Sequence, residues 1–538
     1  MKKSCLPLLA VFMAFLLPAA VFAAGASDTA AVAGAGNELK MRIAVNPETL
    51  DPTLVYTGDV NFITKMLFVN LCDFNEETSL PTPDLAKTWN VSADGKVWTF
   101  NLRNDIKWTN GRSVTARDVE YSMKRILDPA TASPLGYMLY PVKNAKAVNK
   151  GELKDIGAVG IKVIDDWTIQ FTLENPMGFF PTALRSVAFA APKEAIEQYG
   201  LKWFEPANIV SNGPYLLKEW KQNDRLVFEK NPAYYDAKNV QIDKVTVFVV
   251  TDDSTAMAMY EAGQLDTVNV PSGDIDRVMK DPVLSKQSKN VGQLISFQIQ
   301  INVKAPPMDN PNVRKAFAAA IDKEALVKYI AKGGQVAMDT VVPLGAFGAV
   351  PKSAKIGIPY NPAAAKEYLA KAGYPDGKGL PPVEFNFNTS EFNRSVAEAL
   401  QQMWKNNLGV DVGAKNFEGK VYWDIIVSGK LQFWRMGFNA DYPDADGFLY
   451  GIGHTKNGEK NLRWERTDFD ALVERAQAEA DPEVRKKLYM EAEKILVQDE
   501  CAVIPLWSYA YVAVTKPTLQ RTYSALMADT IKNWKVVK

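Results

Sequence analysis

Histidine is almost missing from this sequence: the 538 residues contain His454 and no other. A lone histidine cannot build a His-based zinc site, and no Cys-x-x-Cys spacing offers thiolates in its place. A Ser-His-Asp hydrolase would have to use His454, yet no Gly-x-Ser-x-Gly turn accompanies it. Phosphate loops of the form Gly-x-x-x-x-Gly-Lys-Ser/Thr are absent too. His454 follows Gly451-Ile452-Gly453 and reads as a surface loop residue. No cofactor and no metal are expected.

Cysteine is nearly as scarce, with Cys5, Cys72 and Cys501. Cys72 and Cys501 are expected to be two buried apolar thiols; a disulfide is the alternative, and spacing alone does not bring two backbones within bridging distance. An excess of one charge sign is also lacking, with 62 basic and 62 acidic residues. That balance argues against nucleic acid or an anionic membrane as partner. Beyond the amino terminus no apolar stretch reaches membrane length.

At the amino terminus, Lys2-Lys3, an apolar run from about Leu6 to Phe22 and small residues from Ala23 to Ala26 read as a secretory signal peptide, residues 1–23. Pro7 and Pro18 interrupt the run, which is short for the alternative of an uncleaved anchor. Cleavage is expected after Ala23. Cys5 precedes the run, so it cannot be the acylated first residue of a lipoprotein, and a soluble, exported protein follows. Residues 24–38 are mostly Ala, Gly, Ser, Thr and Val and read as a flexible tail. The remaining length is more than one core usually spans, so two or three domains are expected.

Strand-like and helix-like segments alternate without a fixed repeat, the pattern of an α/β protein. Trp98, Phe100 and Leu102 alternate with Thr99, Asn101 and Arg103, which predicts a half-buried strand. Thr115 and Asp118 then form a capping pair, and Val119, Met123, Ile126 and Leu127 give the helix an apolar face. Asn310-Pro311, Asn361-Pro362 and Asp481-Pro482 each place a capping side chain before a proline at the first helical position. Gly373 ends the second of these helices, and Val484, Leu488, Ile495 and Leu496 are read as the buried stripe of the third. Ala502 to Thr515 reads as a buried strand.

The densest acidic cluster is Asp441, Asp444 and Asp446, followed by Gly447. A calcium loop would carry a glutamate at its twelfth position, where Ile452 stands. A glycosidase pair needs two carboxyls on opposite sides of one bond, which neighbours in a short loop do not readily span. Solvated turn charges and ligand binding remain open, with ligand binding ahead. The twelve tryptophans raise a sugar-binding reading, but Trp98 and Trp404 lie in amphipathic patterns that suit core packing.

The order of several segments resembles that of solute-binding proteins of peptide ABC transporters, the family 5 extracellular solute-binding proteins, and oligopeptide-binding members in particular. The segments are Pro47 to Pro52, "W-x-x-G" and "T-A-x-D-V" within Trp108 to Val119, Asn212 to Tyr215, Val313 to Ala316, Gly437 to Asp444, and Arg485 to Pro505. The resemblance implies a two-lobed periplasmic-binding-protein fold of the α/β class with an accessory subdomain in lobe one. Carried over, lobe one is 39–289, lobe two is 290–507, and 508–538 returns to lobe one, with crossings near Asn290 and Trp507.

The resemblance also implies capture of a short peptide and its delivery to a membrane permease of an ABC importer, by a monomer without enzymatic activity. Another solute on the same fold (nickel chelate, haem or oligosaccharide) and an exported hydrolase are the alternatives. Asp441 would pair with the peptide's amino group, Arg435 with its carboxyl terminus. Gly437, Phe438 and Asn439 would run beside the peptide backbone, as would Tyr56, Thr57 and Gly58 from lobe one. Phe438 keeps an aromatic wall, whereas Gly419 stands in place of an aromatic pocket residue.

Overall fold

The computed structural model describes residues 37–55, 58–76, 80–439, 441–456, 461–479, 481–526 and 529–537. The expected signal segment, 1–23, residues 24–36 of the expected tail, and Tyr56 and Thr57 lie outside them; Glu38, expected in that tail, instead opens a strand because it pairs with Lys244. Apolar side chains from Leu39 to Val247 pack into one core that also takes in Leu519, Ile531 and Trp534; this body is lobe one. It carries two four-stranded sheets. In the first, Glu38–Ile43 runs parallel to Lys244–Val249, and Arg225–Lys230 and Tyr215–Lys221 follow antiparallel. The second is an antiparallel sheet ordered Ala86–Val91, Val97–Leu102, Thr168–Thr172, Ile161–Asp165.

A mixed sheet is ordered Thr267–Asn269, Val503–Thr515, Ser288–Ile301, Phe433–Asn439, Val383–Asn388, Val412–Phe417; its strands from Ser288–Ile301 to Val412–Phe417 carry lobe two, while Thr267–Asn269 falls in the range expected for lobe one. Two cores flank the sheet, one around Phe317, Trp404 and Phe433 and one around Phe448, Tyr489 and Leu496. Ser288–Ile301 and Val503–Thr515 are the long strands of the structure. They pair from Ser288 opposite Val514 to Gln300 opposite Val503, and their register slips between Gly292 and Ser296. At one end they meet a small core of Met257, Tyr260, Leu265 and Val278; at the other they enter lobe two.

Local patterning explains much of this. Trp98, Phe100 and Leu102 are buried while Asn101 is exposed, and Val119, Met123, Ile126 and Leu127 are fully enclosed. Asp118 accepts from the Thr115 backbone N–H at 2.8 Å and from its hydroxyl at 3.3 Å. Asn310, Asn361 and Asp481 each cap the helix that opens on the following proline. The buried stripe of Pro482–Lys494 differs from the expected one: Val484 is exposed, and Arg485, Leu488, Tyr489, Ala492 and Glu493 are buried. The face is turned inward by Arg485, whose guanidinium has a buried partner. Cys72 and Cys501 are buried and unpaired.

Two of the resembling segments are structural. Asp51, in Leu50-Asp51-Pro52, accepts from Thr53 N at 2.9 Å and Trp203 Nε1 at 3.0 Å and pairs with Arg125 at 2.9 Å. Asn212 Oδ1 accepts from Val69 N at 2.8 Å, and Gly213 N donates to Leu67 O at 2.8 Å. A side chain at 213 would come within 2.5 Å of the Leu67 backbone, so glycine alone permits this approach.

Candidate functional site

Phe433–Asn439 pairs antiparallel with Ser288–Ile301 along its whole length, from Phe433 opposite Ile301 to Asn439 opposite Ile295. On its other edge the parallel ladder with Val383–Asn388 holds only Phe433 and Trp434. From Arg435 to Asn439 that edge has no ladder partner among the described residues, although Tyr422 Oη donates to the Arg435 carbonyl oxygen at 2.5 Å. Strand backbone left unpaired in this way can accept an added strand.

Arg435 stands at the start of the open edge. Its Nη2 donates to Tyr509 Oη at 2.7 Å and its Nη1 to Asn388 Oδ1 at 3.2 Å, while the guanidinium lies 4.6 Å above the Phe297 ring. Its Nε is buried without a partner, and no carboxylate pairs with it among the described residues. Tyr509, Asn388 and Phe297 hold a cation with donor capacity to spare. Gly437 leaves room here, since a Cβ would sit 3.4 Å from Arg435 Nη2. Phe438 turns away from that edge and packs on Phe448 at 5.7 Å between ring centres. Asn439 is exposed. Gly419 opens the helix Gly419–Ser428, and nothing lies within 4 Å of where its side chain would be. From lobe one, Gly58 opens the helix Gly58–Leu67.

Just past the strand, Asp441 lies where the two lobes meet. Solvent reaches it, yet Tyr137 Oη of lobe one donates to its Oδ1 at 3.1 Å, and Arg185 Nε donates to its carbonyl oxygen at 3.2 Å. Partial desolvation raises its carboxyl above the ordinary range, opposed by the Tyr137 hydrogen bond and the Arg185 charge. Next to it, Tyr442 packs on Phe179 of lobe one at 5.3 Å. Tyr137, Arg185 and Phe179 carry no local sequence signal for this place.

The rest of the acidic cluster is not a set of solvated turn charges. Asp444 is buried, pairs with Arg485 at 2.7 Å, and caps the helix Ala445–Gly453. Asp446 is buried and accepts from Tyr442 Oη at 2.8 Å; burial and the Asp444 charge push its carboxyl up to about 6. These two acids brace the loop from beneath, which leaves Asp441 as its outward-facing member.

His454 is likewise corrected from surface to interior. Its ring is buried against Tyr450 at 4.5 Å, its Nδ1 accepts from Lys456 N at 3.1 Å, and burial holds it below its usual pKa. It ends the helix Ala445–Gly453, whose inner face carries it into the core. Among the described residues no group of three or more His, Cys, Asp or Glu side chains is arranged to hold a metal ion. A cavity of about 550 Å³ opens elsewhere on lobe two, between Lys323, Met338, Val350 and Tyr360, and shares no residue with the strand edge or with Asp441.

Known proteins share this architecture. The family model "Bacterial extracellular solute-binding proteins, family 5 Middle" matches residues 81–460. The oligopeptide-binding protein OppA of Bacillus subtilis is 32% identical over 480 residues, 88% of this chain and 87% of its own. Among solved structures, the unliganded open form of the murein tripeptide-binding protein MppA superposes with a TM-score of 0.85 at 28% identity, covering 94% of this chain and 98% of that one. Haemophilus influenzae OppA in complex with the peptide RPPGFSPFR gives 0.70 at 26% identity, covering 94% of this chain and 100% of that one. With a family model spanning 81–460 and relatives matched over most of their length, the chain belongs to the bacterial extracellular solute-binding proteins of family 5.

Proposed function

We propose that this protein captures short peptides between its two lobes and delivers them to the permease of an ABC importer. One observation carries the reading: a strand edge without a ladder partner, Arg435 to Asn439, with a guanidinium that no carboxylate pairs among the described residues at one end and the Asp441 carboxylate just past the other. A strand rises about 3.3 Å per residue, so the edge runs roughly 13 Å, close to the backbone of a peptide of three or four residues. A peptide lying antiparallel to it presents its ammonium to Asp441 and its carboxylate to Arg435. Backbone pairing along the edge reads no side chains, so many sequences are accepted. The names of OppA and MppA, which describe binders of oligopeptides and a murein tripeptide, support the same ligand class.

In this reading the lobes are 39–289 with 508–538, and 290–507. They close about the two long strands, where the slipped register between Gly292 and Ser296 interrupts the ladder. The signal peptide is removed after Ala23, and the soluble monomer works outside the cytoplasm without chemistry of its own. Mass spectrometry of ligand retained through gentle purification tests the proposal. Peptides of a few residues are expected; a different solute, or turnover of a test substrate, overturns it.

A further inference from the structure

Arg185 is a buried cation with an incomplete set of partners. It is 6% exposed, its Nη1 has no acceptor, and its guanidinium lies 5.1 Å from the Phe74 ring centre. Among the described residues no carboxylate forms an ion pair with it. The acids that face it are Asp441, across the lobe boundary, and Asp73 in its own lobe. Asp73 is already held by Lys65 at 3.3 Å and Lys532 at 3.0 Å. Burying a guanidinium without a counter-charge is costly, and this one is kept against the loop that carries the Asp441 carboxylate.

The contacts run in one direction. Arg185 Nε holds the Asp441 carbonyl, and Tyr137 Oη holds its carboxylate. Around them, Phe179 packs on Tyr442, and Gly178 N donates to Gln477 O at 3.1 Å. Among the described residues no charged group other than Arg185 faces the Asp441 carboxylate. We infer that Arg185 is a positioning residue for the ammonium end of the ligand site: it clamps the Asp441 backbone to lobe one and keeps the carboxylate charged before ligand arrives. The inference rests on Asp441 receiving a peptide's amino terminus. Its consequence is an order of assembly. The ammonium end already spans both lobes through Tyr137 and Arg185, and closure then brings lobe one over the strand edge and Arg435.

Calorimetry with tetra-alanine and N-acetyl-tetra-alanine between pH 5 and 8 tests this, using the parent, Arg185→Gln and Arg185→Lys. Glutamine can still donate to the Asp441 carbonyl but has no charge; lysine keeps the charge. Arg185→Gln is expected to weaken free tetra-alanine at least tenfold at pH 7.5, and the deficit widens toward pH 5 as Asp441 takes up a proton earlier than in the parent. Arg185→Lys keeps the parent's pH profile, and the acetylated peptide changes less than twofold in both variants. Equal deficits for the two peptides at every pH make Arg185 merely structural and overturn the inference. A parent that binds neither peptide, or does not distinguish them, sinks the ammonium reading instead. The interaction of the Arg185 charge with the Asp441 carboxylate is then judged on unliganded protein, by the melting temperatures of Arg185→Gln, Asp441→Asn and the double variant. Non-additive shifts support it, and additive shifts overturn it.

Discussion

Arg485 Nη2 meets Asp444 Oδ1 at 2.7 Å, with 7% and 3% of the two side chains exposed. The guanidinium also lies against the rings of Phe179, Phe347 and Tyr489, at 4.4, 4.6 and 5.1 Å. Phe179 belongs to lobe one, so this pair sits beneath the boundary that Tyr442 and Asp441 form above it.

Asp444→Asn keeps the helix cap but removes the carboxylate that Arg485 Nη2 meets in the buried pair. Breaking a buried pair in this way costs about 3–5 kcal/mol. Urea unfolding of parent and variant measures it, and a loss below about 1 kcal/mol would mean that water reaches the guanidinium.

The fold was legible where periodicity is strict. Trp98 to Leu102 and Val119 to Leu127 announce a strand and a helix because alternate, or every third and fourth, residues must face a core. The acidic cluster was legible only as a cluster. Asp444 and Arg485 are 41 residues apart, and neither differs locally from a surface charge, so their burial appears only when two helices are packed together. The same holds for Val484: its hydrophobicity pointed inward, but the Arg485 partnership turned the helix. His454 read as a loop residue because glycines precede it, although those glycines lie in a helix. Arg435 and Asp441 came from a resemblance, while Tyr137 and Arg185, lone residues in lobe one, had no pattern to betray them.

Gly213 is the second point of leverage. A Cβ there meets the backbone of Met66, Leu67 and Phe68 at 2.5–2.7 Å, and backbone cannot swing aside as a long side chain does. Gly213→Ala is expected to cost about 1–3 kcal/mol, the usual range for overpacking. Thermal melting checks it, and an unchanged melting temperature would mean that the loop moves freely away from Leu67.

Glu493 makes stability depend on pH. It is fully buried, its Oε1 accepts from the N–H groups of Val341 and Val342, and its Oε2 has no partner. Burial pushes its carboxyl up to about 8. The folded state therefore holds a proton that the unfolded chain releases near its ordinary 4.5. Stability from this group is full below that pH and is lost as pH rises to about 8, by up to a few kcal/mol. Glu493→Gln should flatten that decline in chemical unfolding between pH 5 and 8, and a slope equal to the parent's refutes the assignment.

Arg435 has no acidic partner of its own, so its cost on removal should appear in binding more than in folding. Arg435→Ala is expected to weaken peptides with a free carboxylate about tenfold or more and to leave their amidated forms nearly unchanged, as a charge-assisted pair predicts. Calorimetry on matched peptides decides it. Equal losses for acid and amide would assign the guanidinium to bracing Tyr509 and Asn388 instead.

Asp441 is the sharpest test, because electrostatics and position agree there. A peptide's amino terminus is a cation, and two lobes closing over it remove water, so an unpaired charge would be costly. Asp441 remains in contact with solvent while Tyr137 donates to its carboxylate. Asp441→Asn keeps the shape and removes the charge. It should weaken peptide binding by about 3–5 kcal/mol where the pair is fully enclosed, and by less where water stays. Acetylating the peptide's amino terminus should produce a similar loss in the parent and little further loss in the variant, since each change removes the same pair. If acetylated and free peptides bind the parent equally in calorimetry, Asp441 does not hold the ammonium, and the peptide's direction along the Arg435 to Asn439 edge must be reversed or abandoned.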